Sequence, residues 1–204
     1  MIKKINEEKN RIILAITLVF IGSILRLTLQ NVMMDIFFII AVISIISGLV
    51  LGGYYTFIVP ISIMMITDLM IGNNAILLFT WSGFAILALF GYLVKSKHSL
   101  SIKKIPIAIG AGIAGILVYD IWTNFGCFLG WYPKTFAGLT TCYTAAIPFT
   151  LWHLLSTTIA LTLVLIPIAL SSKNYDIVPK PMKKPVTIGI PLLLIIAAII
   201  SLMV

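Results

Sequence analysis

Long apolar runs recur along the whole of this chain and constrain its fold more than any other feature. A run of about 20 apolar residues can cross the hydrocarbon core of a bilayer as a helix. Hydrophobic residues make up 61% of the 204 residues and charged residues 10%, whereas a soluble domain carries about a quarter charged residues. The sequence therefore predicts an all-α fold, a polytopic transmembrane helical bundle. We predict spans at 11–30, 34–52, 54–72, 76–94, 104–122, 143–171 and 185–204.

Lysine and arginine are concentrated in three connections between these spans. The segments 1–11, 95–104 and 172–184 carry four each, together twelve of the fourteen in the chain. An even number of predicted spans separates the three segments, so they lie on one face, which the positive-inside rule makes cytoplasmic. We expect a multi-pass protein of the cell membrane with a cytoplasmic N-terminus and an extracytoplasmic C-terminus. The net charge of +8 then reflects orientation, and no nucleic-acid partner is predicted.

The chain is predicted to form a single membrane domain, 1–204, with the lipid bilayer as its environment. Its last span contains Pro185 and Pro191, and a helix lying along the membrane interface is the alternative there. The predicted parts are a cytoplasmic tail 1–11, a six-helix core 12–171, a basic cytoplasmic loop 172–184 and a C-terminal span 185–204.

Ionisable residues inside the predicted spans are few, and each lies near the outward end of its helix. Arg26, Asp68 and Asp120 belong to spans one, three and five. Charges within a membrane are costly and indicate a functional site by default. The alternatives are that Arg26 snorkels to the head groups or forms a structural ion pair with Asp68 or Asp120. Polar and aromatic residues at the same predicted level complete an outward-facing substrate pocket. The candidate residues are Arg26, Asp68, Asn73, Asp120, Trp122, Asn124, Tyr132, Lys134 and His153.

The segment 119–150 is too polar and too rich in glycine and proline for one transmembrane helix, yet too aromatic for a solvated linker. Irregular backbone at membrane depth persists where protein buries it or where it lines a cavity. We therefore predict a re-entrant or capping loop here. Tyr132 precedes Pro133 and should be extended, and Gly126 and Gly130 would permit turns.

Small residues four apart in the fifth span, such as Ala108 with Gly112 and Ala111 with Gly115, allow close helix packing. Packing within one subunit is the preferred interpretation over a dimer face. His153 has no second histidine near it in sequence, and we find no metal-ligand spacing and predict no cofactor. Cys127 and Cys142 are interpreted as small buried residues, with a disulfide as the alternative.

Several short elements within 123–149 carry a resemblance. They are Thr-Asn-Phe-Gly at 123–126, Tyr-Pro-Lys-Thr at 132–135, Gly-Leu at 138–139, Cys-Tyr at 142–143 and Ala-Ala-Ile-Pro-Phe at 145–149. With Arg26 and Thr67-Asp68-Leu69, they resemble an uncharacterised family of small prokaryotic membrane proteins that carry a domain of unknown function. The resemblance covers roughly residues 12–165.

That family is similar in layout to the S-components of energy-coupling factor (ECF) transporters, bundles of about six helices that bind a vitamin on the outward side. The resemblance implies a substrate-binding subunit for uptake of a micronutrient, partnered by a transmembrane coupling subunit with ATPases. The chain has no Walker motif, so energy would have to come from partners. It departs from the pattern in its seventh span and in lacking Ala-x-x-x-Ala on the first helix.

Two other functions are kept open. The chain could be an intramembrane enzyme that uses Cys127 or Cys142 as a nucleophile with His153 as the base, or a structural membrane subunit without a ligand. No ATPase motif and no convincing catalytic set is present, so we expect a binding protein.

Overall fold

The computed structural model describes residues 2–30, 36–72, 75–95, 100–171, 181 and 184–201, with side chains from residue 7 onward except those of 171 and 184. Every regular element in these ranges is helical, so the predicted all-α class is confirmed. The seven α-helices are α1 (Ile2–Leu29), α2 (Phe37–Ile46), α3 (Tyr55–Ile71), α4 (Leu77–Leu93), α5 (Ile105–Trp131), α6 (Phe136–Ser171) and α7 (Lys184–Ser201).

Three of these helices are long and apolar enough to cross a membrane: Glu7–Leu29, Ile102–Trp131 and Phe136–Leu170. The other predicted spans form apolar helices of 10–17 residues, and at 1.5 Å per residue 17 residues extend about 25 Å. Large apolar side chains cover the outside of the long helices, for example Phe20, which is 65% exposed, and Leu163, which is 67% exposed. These features are those of a membrane protein.

Residues 2–11 of the predicted tail are helical and continue without a break into the first predicted span, because α1 begins at Ile2. The N-terminal part of α1 is bonded to the start of α3, since the Tyr55 hydroxyl donates to Glu8 Oε1 at 2.9 Å. The helix therefore extends further toward the N-terminus than the apolar pattern indicates.

The central helix is α2, which is apolar on all sides and almost entirely buried. A helix of that kind belongs in a core. It continues as a π-helix, Ser47–Leu51, and crosses α4 with the two backbones in contact. A Cβ atom on Gly48 would overlap the Ala88 carbonyl oxygen, and one on Gly91 would overlap the Ile45 carbonyl oxygen.

The segment predicted as a re-entrant or capping loop is instead a helical hairpin. Helix α5 continues to Trp131, and α6 starts at Phe136, so only residues 132–135 are non-helical. Tyr132 is extended, with φ −105° and ψ 152°, as predicted for a residue before proline. Gly126 does not form a turn: a Cβ there would lie 2.6 Å from Phe79 Cγ. Its small size serves contact with α4, and this packing offsets the low helix propensity of glycine.

Gly112 and Gly115 of α5 pack inside the chain, as predicted, whereas a Cβ on Gly110 would meet nothing within 4 Å among the described residues. A Cβ on Gly112 would lie 3.0 Å from Leu161 Cδ2, and a Cβ on Gly115 would lie 2.9 Å from Leu87 Cδ2. Helix α7 packs against α4, and its Ala198 is buried beside Ile76 and Phe79. Helix α4 therefore contacts α2, α3, α5 and α7 and holds the bundle together.

Candidate functional site

Arg26 and Asp68 form a buried ion pair between the ends of α1 and α3. Arg26 Nη1 donates to Asp68 Oδ1 at 2.6 Å and also contacts the Thr67 hydroxyl. The other carboxylate oxygen, Oδ2, accepts a hydrogen bond from Trp81 Nε1 of α4 at 2.7 Å. Both oxygens of Asp68 are thus occupied by protein donors, and the cluster joins α1, α3 and α4.

A second pair joins α5 to α6. One of its two carboxylate oxygens has a hydrogen-bond partner, and the other has none among the described residues. His153 Nδ1 lies 2.7 Å from Asp120 Oδ1, and the Asp120 side chain is 6% exposed. Asp120 Oδ2 is buried, yet it has no hydrogen-bond partner among the described residues. A buried carboxylate oxygen without a donor costs about 1–3 kcal/mol or more, so it marks a place where a donor would be favourable.

Aromatic rings surround His153 on the side that faces α2. The Phe37 ring stacks on the imidazole with centroids 4.0 Å apart, and the Tyr119 ring meets it edge-on at 6.4 Å. Phe84 completes the group, with its ring 4.8 Å from that of Tyr119. Such packing fixes the orientation of the imidazole and so holds Asp120 in place.

One turn of α4 lies between the two pairs. Trp81 donates to Asp68, and Ser82 Oγ accepts from Trp122 Nε1 at 2.7 Å. The next residue, Gly83, leaves room for the ring of Tyr119, since a Cβ there would lie 2.6 Å from Tyr119 Cδ2. Both regions contact the same turn of α4, but the two charge pairs are separate clusters and not the rim of one pocket.

A groove of about 440 Å³ opens beside Asp120, between α5 and α6. This volume is within the range of small-molecule sites, about 300–1,000 Å³. Its polar residues come from both helices, and its remaining wall is aliphatic. The groove is lined by Leu117, Asp120, Ile121, Asn124, Thr140, Tyr143, Thr144, Ala146, Ile147, Thr150 and Leu151.

A further groove of about 490 Å³ lies between α1 and α3. Its walls are mainly apolar, and Ser23 Oγ, which lines it, is buried with no partner among the described residues. No charged side chain lines it, so it offers a ligand fewer specific contacts than the groove beside Asp120.

The predicted site residues divide into those near a charge pair and those far from both. Asn124 donates to the Asp120 carbonyl oxygen at 2.7 Å and lines the groove. Tyr132 and Lys134 lie in the α5–α6 turn, twelve or more residues beyond Asp120, which is about 18 Å along a helix axis. Tyr132 and Lys134 do not line the groove beside Asp120. Asn73 lies outside the described residues.

Sequence reasoning missed the α6 side of the groove, above all Tyr143, Thr140, Thr144 and Thr150. A usable signal was present, since positions 140, 143, 144, 147 and 150 follow the spacing of one helix face. The assignment of this stretch to a loop concealed that periodicity. Trp81 was also missed, and nothing near it in sequence indicates contact with Asp68.

Cys127 and Cys142 are both free thiols, so the alternative of a disulfide is not realised. Cys142 Sγ contacts the Asn124 carbonyl oxygen at 3.5 Å, whereas His153 pairs with Asp120. Cys142 precedes His153 by eleven residues on the same helix, about 16 Å along its axis. The geometry does not bring Cys142 and His153 together as a nucleophile and base.

Comparison with known proteins gives one result. Residues 6–180 match DUF6580, a family of unknown function. The chain belongs to the DUF6580 family. This match confirms the predicted relation to an uncharacterised family, and it includes both charge pairs and the whole groove. No curated protein and no solved structure matches the chain.

Proposed function

We propose that this DUF6580 protein is a membrane-embedded subunit that binds a small molecule on the extracytoplasmic side for an uptake transporter, in the manner of an S-component. The observation that carries the proposal is Asp120, a buried acid with an unpartnered oxygen beside a groove of ligand size. Intramembrane carboxylates of this kind mark substrate and ion pathways in transporters.

The proposed orientation rests on charge and on helix direction. Lys95 follows the end of α4, and Lys103 and Lys104 precede α5, so positive charge gathers at that end of the bundle. Arg26 and Asp68 lie near the C-terminal ends of α1 and α3, which are at the other end of the bundle from these lysines. With the lysine-rich end in the cytoplasm, both charge pairs belong to the outward half of a multi-pass protein.

Transport would require partners, because binding alone moves nothing against a gradient and the chain has no Walker motif. We propose a transmembrane coupling subunit with ATPases as that partner. The mainly apolar groove between α1 and α3 and the exposed apolar faces of the long helices are surfaces of the kind that contact lipid or another membrane subunit.

A structural subunit without a ligand is the second candidate. The cluster of Arg26, Asp68 and Trp81 favours it, because every polar atom of the carboxylate is satisfied within the chain. Such a cluster serves helix packing and offers nothing to a ligand. The two candidates differ in what they require of Asp120: a structural subunit has no use for its free oxygen.

The deciding experiment is mass spectrometry of small molecules that co-purify with the full chain in lipid nanodiscs. We expect a bound molecule with the wild type and its loss with Asp120→Asn, which keeps the size of the side chain. A Cys127→Ser/Cys142→Ser variant serves as the control and should retain the molecule. If wild-type protein and Asp120→Asn carry the same small molecules, the binding proposal is wrong and the structural role stands.

A further inference from the structure

We propose that the groove between α5 and α6 selects an organic cation that carries N–H donors, with Asp120 as its counter-ion. This inference rests on the proposed function and adds the chemical class of the ligand. It follows from which atoms the groove offers and which hydrogens are already used.

The polar side chains of the groove present acceptors. Asn124 uses one hydrogen of its NH₂ group on the Asp120 carbonyl oxygen, and its own amide oxygen remains as an acceptor. Tyr143 donates to the Ile121 carbonyl oxygen at 2.8 Å, and the Thr140 hydroxyl donates to a backbone oxygen one turn earlier at 2.9 Å. A hydroxyl that has donated its hydrogen keeps lone pairs to accept with. Together with Asp120, which also lines the groove, these oxygens supply acceptors that are complementary to a ligand with donors.

The charge of the groove favours a cation. No lysine or arginine is among its lining residues. Arg26 is engaged by Asp68, and His153 Nδ1 contacts the other oxygen of Asp120, Oδ1. An anionic ligand would place a second negative charge beside a buried carboxylate, which is strongly unfavourable in a low-dielectric site. A cation would instead provide the donor that Oδ2 lacks.

Size and wall chemistry favour an organic cation over a metal ion. The volume of about 440 Å³ far exceeds what a bare ion fills, and Leu117, Ile121, Ile147 and Leu151 form an aliphatic wall. Hard cations such as Ca²⁺ are held by six to eight oxygens. The described part of the chain contains no group of three or more His, Cys, Asp and Glu residues that could hold a metal ion.

Access to Asp120 is restricted. Oδ2 exposes less than 1 Å² to solvent, so a ligand must displace the side chains that cover it. We therefore expect association to be slower than diffusion, with the ammonium end at the floor of the groove and the apolar end against the aliphatic wall. Ile147, which is 53% exposed, stands at the outer side of that wall.

The test uses three probes of one shape and different charge: 4-fluorobenzylamine, 4-fluorobenzyl alcohol and 4-fluorobenzoate. Binding to the full chain in lipid nanodiscs is measured by fluorine NMR titration, and empty nanodiscs correct for partition into lipid. We expect the amine to bind at least ten-fold more tightly than the alcohol, and the benzoate not to bind. Asp120→Asn should weaken amine binding at least ten-fold. Glu7→Gln removes one negative charge in the N-terminal part of α1, outside the groove, and should leave the affinity unchanged.

A second variant distinguishes a loss of binding from a folding defect in Asp120→Asn. Ile147→Trp adds bulk at an exposed wall position, so it should fold and still block the amine. The inference is overturned if the alcohol or the benzoate binds as tightly as the amine, or if Asp120→Asn binds the amine normally. The inference is also wrong if NaCl or KCl, but not the amine, raises the melting temperature of the wild type and fails to raise that of Asp120→Asn. The groove would then bind an inorganic ion.

The outcomes separate this inference from the proposed function. A neutral or anionic molecule that co-purifies with the wild type and is lost from Ile147→Trp would preserve the binding function and refute the cation. If the amine binds selectively but no molecule co-purifies and no uptake is measured, the groove selects cations as inferred. The proposed function as a transporter subunit is then wrong.

Discussion

Arg26→Met should destabilise the bundle by leaving Asp68 as a buried charge without its counter-ion. The side chains of Asp68 and Arg26 are 6% and 16% exposed. Removing one partner of a buried pair costs about 3–5 kcal/mol, and the partial exposure of Arg26 places the expected loss near the lower end, about 3 kcal/mol. The free energy of unfolding can be measured by SDS titration in mixed micelles.

The double variant Arg26→Met/Asp68→Asn measures the coupling between the two side chains. Asp68→Asn keeps an oxygen that can accept from Trp81 Nε1 but removes the charge, so it should recover part of the loss in the Arg26→Met background. Lys134→Met is the control, because Lys134 is exposed in the α5–α6 turn and its replacement should change stability by less than about 0.5 kcal/mol. A loss below about 1 kcal/mol for Arg26→Met, with additive effects in the double variant, would refute the claim that the pair is buried and coupled.

Two further predictions concern packing and orientation. Gly48→Ala forces a Cβ into the Ala88 carbonyl oxygen and should cost about 3 kcal/mol, the upper end of the usual range for overpacking, or abolish folding. Gly110→Ala meets nothing within 4 Å among the described residues and should be neutral or stabilising by up to about 1 kcal/mol; equal effects in SDS titration would contradict the crossing geometry. In a cysteine-free background, a membrane-impermeant maleimide added to intact cells should label Lys134→Cys and not Lys103→Cys. The reverse pattern would invert the proposed topology.

The sequence predicts the helical class well because apolar length is a local property. It also identifies Arg26, Asp68 and Asp120, since a charge in an apolar run is conspicuous without any structure. It does not predict that Arg26 pairs with Asp68 while Asp120 pairs with His153. Those choices depend on which helices are neighbours.

The largest error, the predicted loop at 119–150, has a physical cause. Asn124, Gly126 and Gly130 have low intrinsic helix propensity, and local reasoning treats them as helix breakers. In the structure the helix persists because Phe79 of α4 packs directly on Gly126. Tertiary contact overrides propensity there, and the sequence alone does not show which residue supplies that contact. Once the hairpin is helical, the groove follows from the 3.6-residue period.

The crossing of α4 with α2 and its π-helical continuation, at Gly91 and Gly48, has a mechanical consequence. Backbone touches backbone there, so no side-chain rotamer change can let the two helices slide past each other. Both charge pairs contact this rigid unit, Asp68 through Trp81 of α4 and His153 through Phe37 of α2. The two helices therefore act as a fixed frame, and we expect an opening that admits the proposed ligand to come from movement of α5 against α6.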